Sequence, residues 1–100
     1  MDKVLAEKTA SVAMQSSFVL DSYLNYLKQQ LDAEEFSEVC QKFSKAMSET
    51  YFQILEPIWA QYPELLPEKM GGTYKTKDEH YLKISKLALE QANEYTYSSL

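Results

Sequence analysis

Residues 57–72 read PIWAQYPELLPEKMGG, and this one stretch contains all three prolines and both glycines of the 100-residue chain. Proline and glycine are the residues that most strongly interrupt helices. Their absence elsewhere leaves a long segment on each side free to be helical, whereas a β-sandwich of this length needs turn signals about every 8–12 residues. The sequence therefore predicts an all-α protein with helices before and after this stretch.

The first predicted helix spans residues 3–30, with Asp2 placed to cap its N-terminus. Apolar or small residues recur along it at alternating spacings of four and three, which is typical of a helix face that packs on a neighbour. This first stripe comprises Ala6, Ala10, Ala13, Ser17, Leu20, Leu24, Leu27 and Leu31. A second stripe comprises Leu5, Val12, Val19, Tyr23 and Tyr26. Together the stripes are wider than contact with one helix requires.

The second predicted helix spans residues 33–61. Asp32 followed three residues later by Glu35 resembles a capping box and marks its start. The alternative is one continuous helix from 3 to 56, which would be roughly 80 Å long at 1.5 Å per residue. The apolar stripe of the second predicted helix is Phe36, Cys40, Phe43, Met47, Thr50 and Ile54. A kink or an end is predicted near Pro57, because proline lacks the helical N–H and clashes with the preceding turn.

A long connection over residues 62–75 precedes the third predicted helix, residues 77–97. The Gly71-Gly72 pair is predicted to be the most mobile point of this connection. Thr76 and Glu79 have the spacing of a capping box at the start of the helix, and residues 96–100 are predicted to fray. The predicted apolar face comprises Tyr81, Ile84, Leu87, Ala88, Ala92 and Tyr95.

These elements predict an antiparallel bundle of three helices that forms a single domain over residues 1–100. The first two helices would each be roughly 42 Å long and the third about 30 Å, at 1.5 Å per residue. A monomer with these lengths would leave part of the long pair uncovered. The sequence therefore favours burial of the surplus apolar surface by another molecule.

The charge composition argues against nucleic-acid binding. The chain has a net charge of −5, and its ten basic residues are all lysine. Arginine is the residue that forks onto phosphates and reads guanine edges, so an acidic chain without it is a poor ligand for DNA or RNA. Residues 1–68 carry 11 acids and 5 lysines, whereas residues 69–100 carry 4 acids and 5 lysines. This asymmetry is either a solvated surface or a means of orienting two copies.

The residues that carry enzyme chemistry form no recognisable constellation, and we predict a non-catalytic protein. His80 is the one histidine and no Glu-x-x-His motif occurs, so no metal or cofactor is expected. The lone Cys40 lies on an apolar stripe and is interpreted as a core residue. His80 is interpreted as a surface histidine or a pH-sensitive interface contact. Gly71-Gly72-Thr73 lacks the Walker pattern and is interpreted as a turn rather than a phosphate loop.

The eight tyrosines and the one tryptophan are the most unusual feature of the composition. Both residue types are favoured where one end is apolar and the other is wet, as at protein interfaces. Trp59 and Tyr62 flank the proline-rich break, with Tyr74 across the connection. They are interpreted either as boundary packing within the bundle or as an aromatic patch on an interaction surface.

The function that these observations favour is a small protein-interaction module, such as an adaptor, an inhibitor or a regulatory subunit. We expect a homodimer that buries the second stripe of the first helix, and possible contact with another protein partner. The candidate interaction residues are Leu5, Val12, Val19, Tyr23, Trp59, Tyr62 and Tyr74.

The alternative is a small bundle that binds an apolar ligand or lipid in a pocket near Trp59, Met47 and Met70. The first residues contain no apolar segment typical of a secretory signal, and a single cysteine suits a reducing compartment. We therefore expect a cytoplasmic location. No membrane association is expected, because the polar face of the first helix is not basic.

Overall fold

The computed structural model describes residues 1–96 and has the predicted all-α architecture, with three rods of helix. The first rod is α1, Lys3–Gln30. The second is α2, Ala33–Thr50, which continues through a π-helix at Tyr51–Leu55 into the short α3, Glu56–Gln61. Two 3-10 turns, Pro63–Leu65 and Glu68–Met70, lead to the third rod, α4, Asp78–Ala92.

The predicted starts of the first two helices are confirmed. The Asp2 carboxylate accepts a hydrogen bond from the Leu5 N–H at 2.9 Å, and the Asp32 carboxylate accepts one from the Glu35 N–H at 2.8 Å. Each carboxylate satisfies a backbone donor that has no partner within the helix. The alternative of one continuous helix over residues 3–56 is wrong, because Leu31 and Asp32 have extended backbone conformations.

The second helix does not end at Pro57 but runs to Gln61 as predicted. Its irregularity lies one turn earlier, where the N–H of Glu56 bonds to the carbonyl of Tyr51 across a π turn. In a regular α-helix the ring of Pro57 would clash with the carbonyl of Gln53 and leave that carbonyl without a donor. Widening the turn before the proline accommodates the ring without ending the helix.

The first two rods form an antiparallel pair. Toward the turn that joins α1 to α2, the rings of Tyr23 and Phe43 stack with centroids 6.4 Å apart. At the other end of the pair, where α1 starts, the Tyr62 hydroxyl donates a hydrogen bond to the Met1 carbonyl at 2.9 Å. The core lies at this second end, where the small residues of α1 allow close approach of the two rods. It comprises Ala6, Ala10, Ala13, Leu55, Ile58, Trp59 and Leu65.

The third helix differs from its prediction at both ends. The Thr76 hydroxyl donates to the Asp78 carboxylate at 3.0 Å, and no side chain caps the helix, so the predicted capping box is wrong. The described helix ends at Ala92 rather than at residue 97. The predicted end and most of the predicted frayed tail fall on residues 97–100, outside the described part of the chain.

The face that α4 buries also differs from the predicted one. Ser85 is 5% exposed, whereas Ile84, Leu87, Ala92 and Tyr95 are exposed. α4 packs on α1 through a ring contact between Phe18 and Tyr81, with centroids 5.7 Å apart. A small side chain such as Ser85 lets two helices approach closely. With Ser85 buried, the side chains of Ile84 and Leu87 are directed toward solvent.

The protein is elongated, with principal extents of 47 × 26 × 22 Å. Its radius of gyration of 15.8 Å exceeds the roughly 13 Å typical of a compact domain of this length. α1 lies at the centre and contacts both α2 and α4. No side chain of α2 is buried, so this helix rests on α1 and keeps most of its surface in solvent.

Candidate interaction surfaces

The three aromatic residues around the proline-rich break pack within the protein. Trp59 is 7% exposed and contacts Tyr51 edge to face, with ring centroids 5.8 Å apart. Tyr62 and Tyr74 are half-buried and pack against the same core. These three side chains therefore do not form an exposed aromatic patch. Their positions agree with packing within the bundle.

The connection after α3 is fastened to the start of α1 by polar contacts. Tyr74 donates a hydrogen bond from its hydroxyl to the Glu7 carboxylate, and Lys3 forms an ion pair with Glu64 at 3.2 Å. Backbone bonds join the two ends of the connection, since the Tyr74 N–H donates to the Leu66 carbonyl at 2.9 Å. The connection is thus a packed element that covers one end of the core.

The hydrogen bond to Glu7, together with partial burial and the negative charge of Glu7, raises the pKa of Tyr74 from 10.0 to about 12. The folded state therefore holds the phenol proton more tightly than the unfolded state does. This contribution to stability is fully present below pH 10 and is lost as the pH rises from 10 to about 12.

Substitution Tyr74→Phe is expected to lower the free energy of unfolding by about 1 kcal/mol at pH 8, because one hydrogen bond is removed. This difference should shrink as the pH rises above 10, because the unfolded wild-type chain then ionises at Tyr74 while the folded chain must still hold the proton. Urea denaturation of both proteins between pH 8 and 11.5 checks this expectation. Parallel pH profiles for the two proteins would contradict it.

The predicted stripe on α1 is divided between the interior and the surface. Tyr23 packs on Phe43, and Val19 is half-buried. Leu5 and Val12 are exposed, with 52% and 69% of their surface accessible. Of the four candidate interaction residues on this stripe, the structure therefore leaves these two open to a partner.

An apolar groove runs beside Val12, between α1 and the second rod. Its volume is about 430 Å³, and it continues into a neighbouring groove of about 380 Å³ through the shared residues Thr9 and Ile54. Ile54 belongs to the π turn that Pro57 imposes. We call the first of these the apolar groove; it is lined by Lys8, Thr9, Val12, Ala13, Ser16, Thr50 and Ile54.

A second opening of about 370 Å³ lies between α1, the turn at Glu68–Met70 and α4. Lys69 and Asp78 form an ion pair at 3.3 Å at this opening. Met70 lines it, but Trp59 and Met47 do not, so the three residues of the predicted ligand pocket do not line this opening together. We call it the methionine groove; its apolar lining is Met14, Phe18, Pro67, Met70, Tyr81 and Leu82.

A third opening, of about 250 Å³, is lined by four basic side chains, and we call it the basic groove. α1 contributes Lys8, the end of the connection contributes Lys75 and Lys77, and α4 contributes His80. Glu7 is the one acid in the lining, and its carboxylate accepts the Tyr74 hydrogen bond. Sequence reasoning missed this cluster, although the positive balance of residues 69–100 was a signal for part of it.

The remaining candidate residues offer no assembled chemistry in the described part of the chain. Cys40 is half-buried on α2, with its sulfur 4.0 Å from the Ser44 hydroxyl. Within residues 1–96 no cluster of three or more His, Cys, Asp or Glu side chains is placed to hold a metal ion. None of the helices over the same residues has the length and apolarity needed to span a membrane.

Comparisons of the chain with protein families, with curated proteins and with solved structures gave no match.

Proposed function

We propose that the protein is a small, non-catalytic interaction module that self-associates, with the apolar groove as the contact surface. The observation that carries this proposal is the exposure of large apolar side chains around one end of α1. Val12 and Ile54 line the groove, and Leu5 is exposed on the same stripe of α1 as Val12. Contiguous exposed apolar surface of this kind marks interaction sites in soluble proteins.

The shape of the groove supports contact with another protein surface. Small residues of α1, Thr9, Ala13 and Ser16, lie in its lining and leave room for side chains from a partner. Val12 stands beside them with most of its surface in solvent. The elongated form of the chain adds to this, because α1 keeps part of its surface exposed although it contacts both other rods.

Substitution Val12→Glu is expected to convert the associated protein to a monomer at micromolar concentration. A carboxylate in this contact would lose its hydration on association, at a cost that an exposed pair with Lys8 one turn away offsets little. The measurement is molar mass by light scattering on a sizing column, repeated over a tenfold dilution. Because Val12 is already exposed, the variant should unfold at nearly the same temperature as the wild type.

Leu87→Glu is the matched control, since Leu87 is an exposed apolar residue of α4 outside the apolar groove. It should leave the molar mass unchanged. A wild type that is monomeric at every concentration would contradict self-association. The candidate that then takes its place is binding of a small apolar ligand, which the six apolar side chains of the methionine groove favour.

A further inference from the structure

The proposed apolar contact leaves the basic groove unoccupied. Within residues 1–96 the ion pairs are Lys3–Glu64 and Lys69–Asp78, so Lys8, Lys75 and Lys77 have no acidic partner there. All three lysines and His80 are exposed. Three lysines converge on one concavity of a chain whose net charge is −5. This concavity fits an acidic segment.

The same chain carries such a segment at the start of α2. Four acids occur within seven residues here, none in an ion pair in the described part of the chain: Asp32, Glu34, Glu35 and Glu38. All four are exposed, and residues 32–38 contain no lysine. The Asp32 carboxylate caps the helix, and the helix dipole stabilises the negative charges of Glu34 and Glu35 in the first turn.

The two charged surfaces lie toward opposite ends of the molecule. Lys8 is near the start of α1, and the acids follow its far end, about 35 Å away at 1.5 Å per residue. The protein is 47 Å long, so one copy laid antiparallel beside another brings each acidic segment to the basic groove of its partner. Such an arrangement has a two-fold axis and closes on itself as a dimer.

We infer that the basic groove binds the acidic start of α2 from a second copy, so that the dimer makes this charged contact twice. This inference rests on the self-association proposed above and adds the contact that orients it. Lys8 joins the two parts, because it lines both the apolar groove and the basic groove. The apolar contact stabilises the dimer, and the charges select the antiparallel register.

The test is a charge exchange between the two surfaces in the full chain. Lys75→Glu with Lys77→Glu is expected to weaken dimerisation at least about tenfold, because like charges then face each other. Glu34→Lys with Glu35→Lys should weaken it similarly. A mixture of the two double variants should form a heterodimer by native mass spectrometry, since both charged contacts are then restored. Raising sodium chloride from 50 to 500 mM should weaken the wild-type dimer.

Lys83→Glu with Lys86→Glu is the matched control, since it makes the same change in net charge on exposed residues of α4 outside the basic groove. The control should dimerise as the wild type does. Equal weakening by the control, or a mixture that forms no heterodimer, would overturn the inference. A dimer that resists Lys75→Glu with Lys77→Glu but is dissociated by Val12→Glu would overturn the inference alone. A monomeric wild type would overturn the proposed self-association as well.

Discussion

Replacing Trp59 with alanine is expected to lower the free energy of unfolding by about 3–5 kcal/mol, which is the usual range for a buried aromatic residue. Trp59 is 7% exposed and lies in the core cluster with Leu55, Ile58 and Leu65. Its removal also ends the edge-to-face contact with Tyr51. A domain of this length has only about 5–15 kcal/mol of stability in total. The variant should therefore unfold at a markedly lower temperature than the wild type.

Trp59→Phe is the informative partner of that variant. The indole N–H of Trp59 is buried and has no hydrogen-bond acceptor among the described residues. An unsatisfied buried donor costs about 1–3 kcal/mol, so deleting it offsets much of the packing lost with the smaller ring. We expect Trp59→Phe to stay within about 1 kcal/mol of the wild type.

Urea denaturation followed by circular dichroism measures both Trp59 variants without needing the tryptophan signal. The free energy of unfolding is expected to be similar for the wild type and Trp59→Phe, and much lower for Trp59→Ala. Similar large losses for both variants would contradict the expected offset between the lost packing and the removed unsatisfied donor.

Gly72→Ala is expected to lower the free energy of unfolding by about 2–3 kcal/mol, toward the upper end for single substitutions. A Cβ at this position would lie 2.0 Å from the Leu66 carbonyl oxygen and 2.6 Å from its carbon. Both are backbone atoms, so a side-chain rotation cannot relieve the overlap. The two segments of the connection must separate, which breaks the hydrogen bond between the Tyr74 N–H and the Leu66 carbonyl.

Gly71→Ala provides the comparison at the neighbouring residue. Gly71 has a φ of 89°, but no atom lies within 4 Å of its added Cβ. Its substitution should cost only the strain of a left-handed backbone, about 1–2 kcal/mol. Urea midpoints rank the two variants, and amide hydrogen exchange at Tyr74 should accelerate in Gly72→Ala. A greater loss for Gly71→Ala would contradict the close-approach explanation.

Local signals in the sequence accounted for most of the helical architecture. The break over residues 57–72, the caps at Asp2 and Asp32 and the alternating spacing on α1 each act within a few residues along the chain. Such interactions are readable from sequence, because the partners are near neighbours in it. The third helix was predicted less well, since Thr76 donates to Asp78 instead of capping the helix.

The candidate surfaces depended on contacts between distant residues, which no local pattern shows. Exposed Val12 was found on its predicted stripe, but the same periodicity did not distinguish it from half-buried Val19. Which of the two stays open depends on how α2 lies along α1. Lys8 is separated from Lys75 by 67 positions in the chain, and only the packing of the connection on α1 brings them to one groove.

Local patterns in the sequence are sufficient to predict that this chain is helical, where its first two helices begin, and that a long connection follows the second helix. Only the packing of distant segments places Trp59 in the core, with Tyr62 and Tyr74 half-buried against it. It also decided that Ser85 is buried while Leu87 faces solvent. The physical reason is that helix formation depends on hydrogen bonds and caps within a few residues, whereas burial depends on which faces pack closely enough to exclude water.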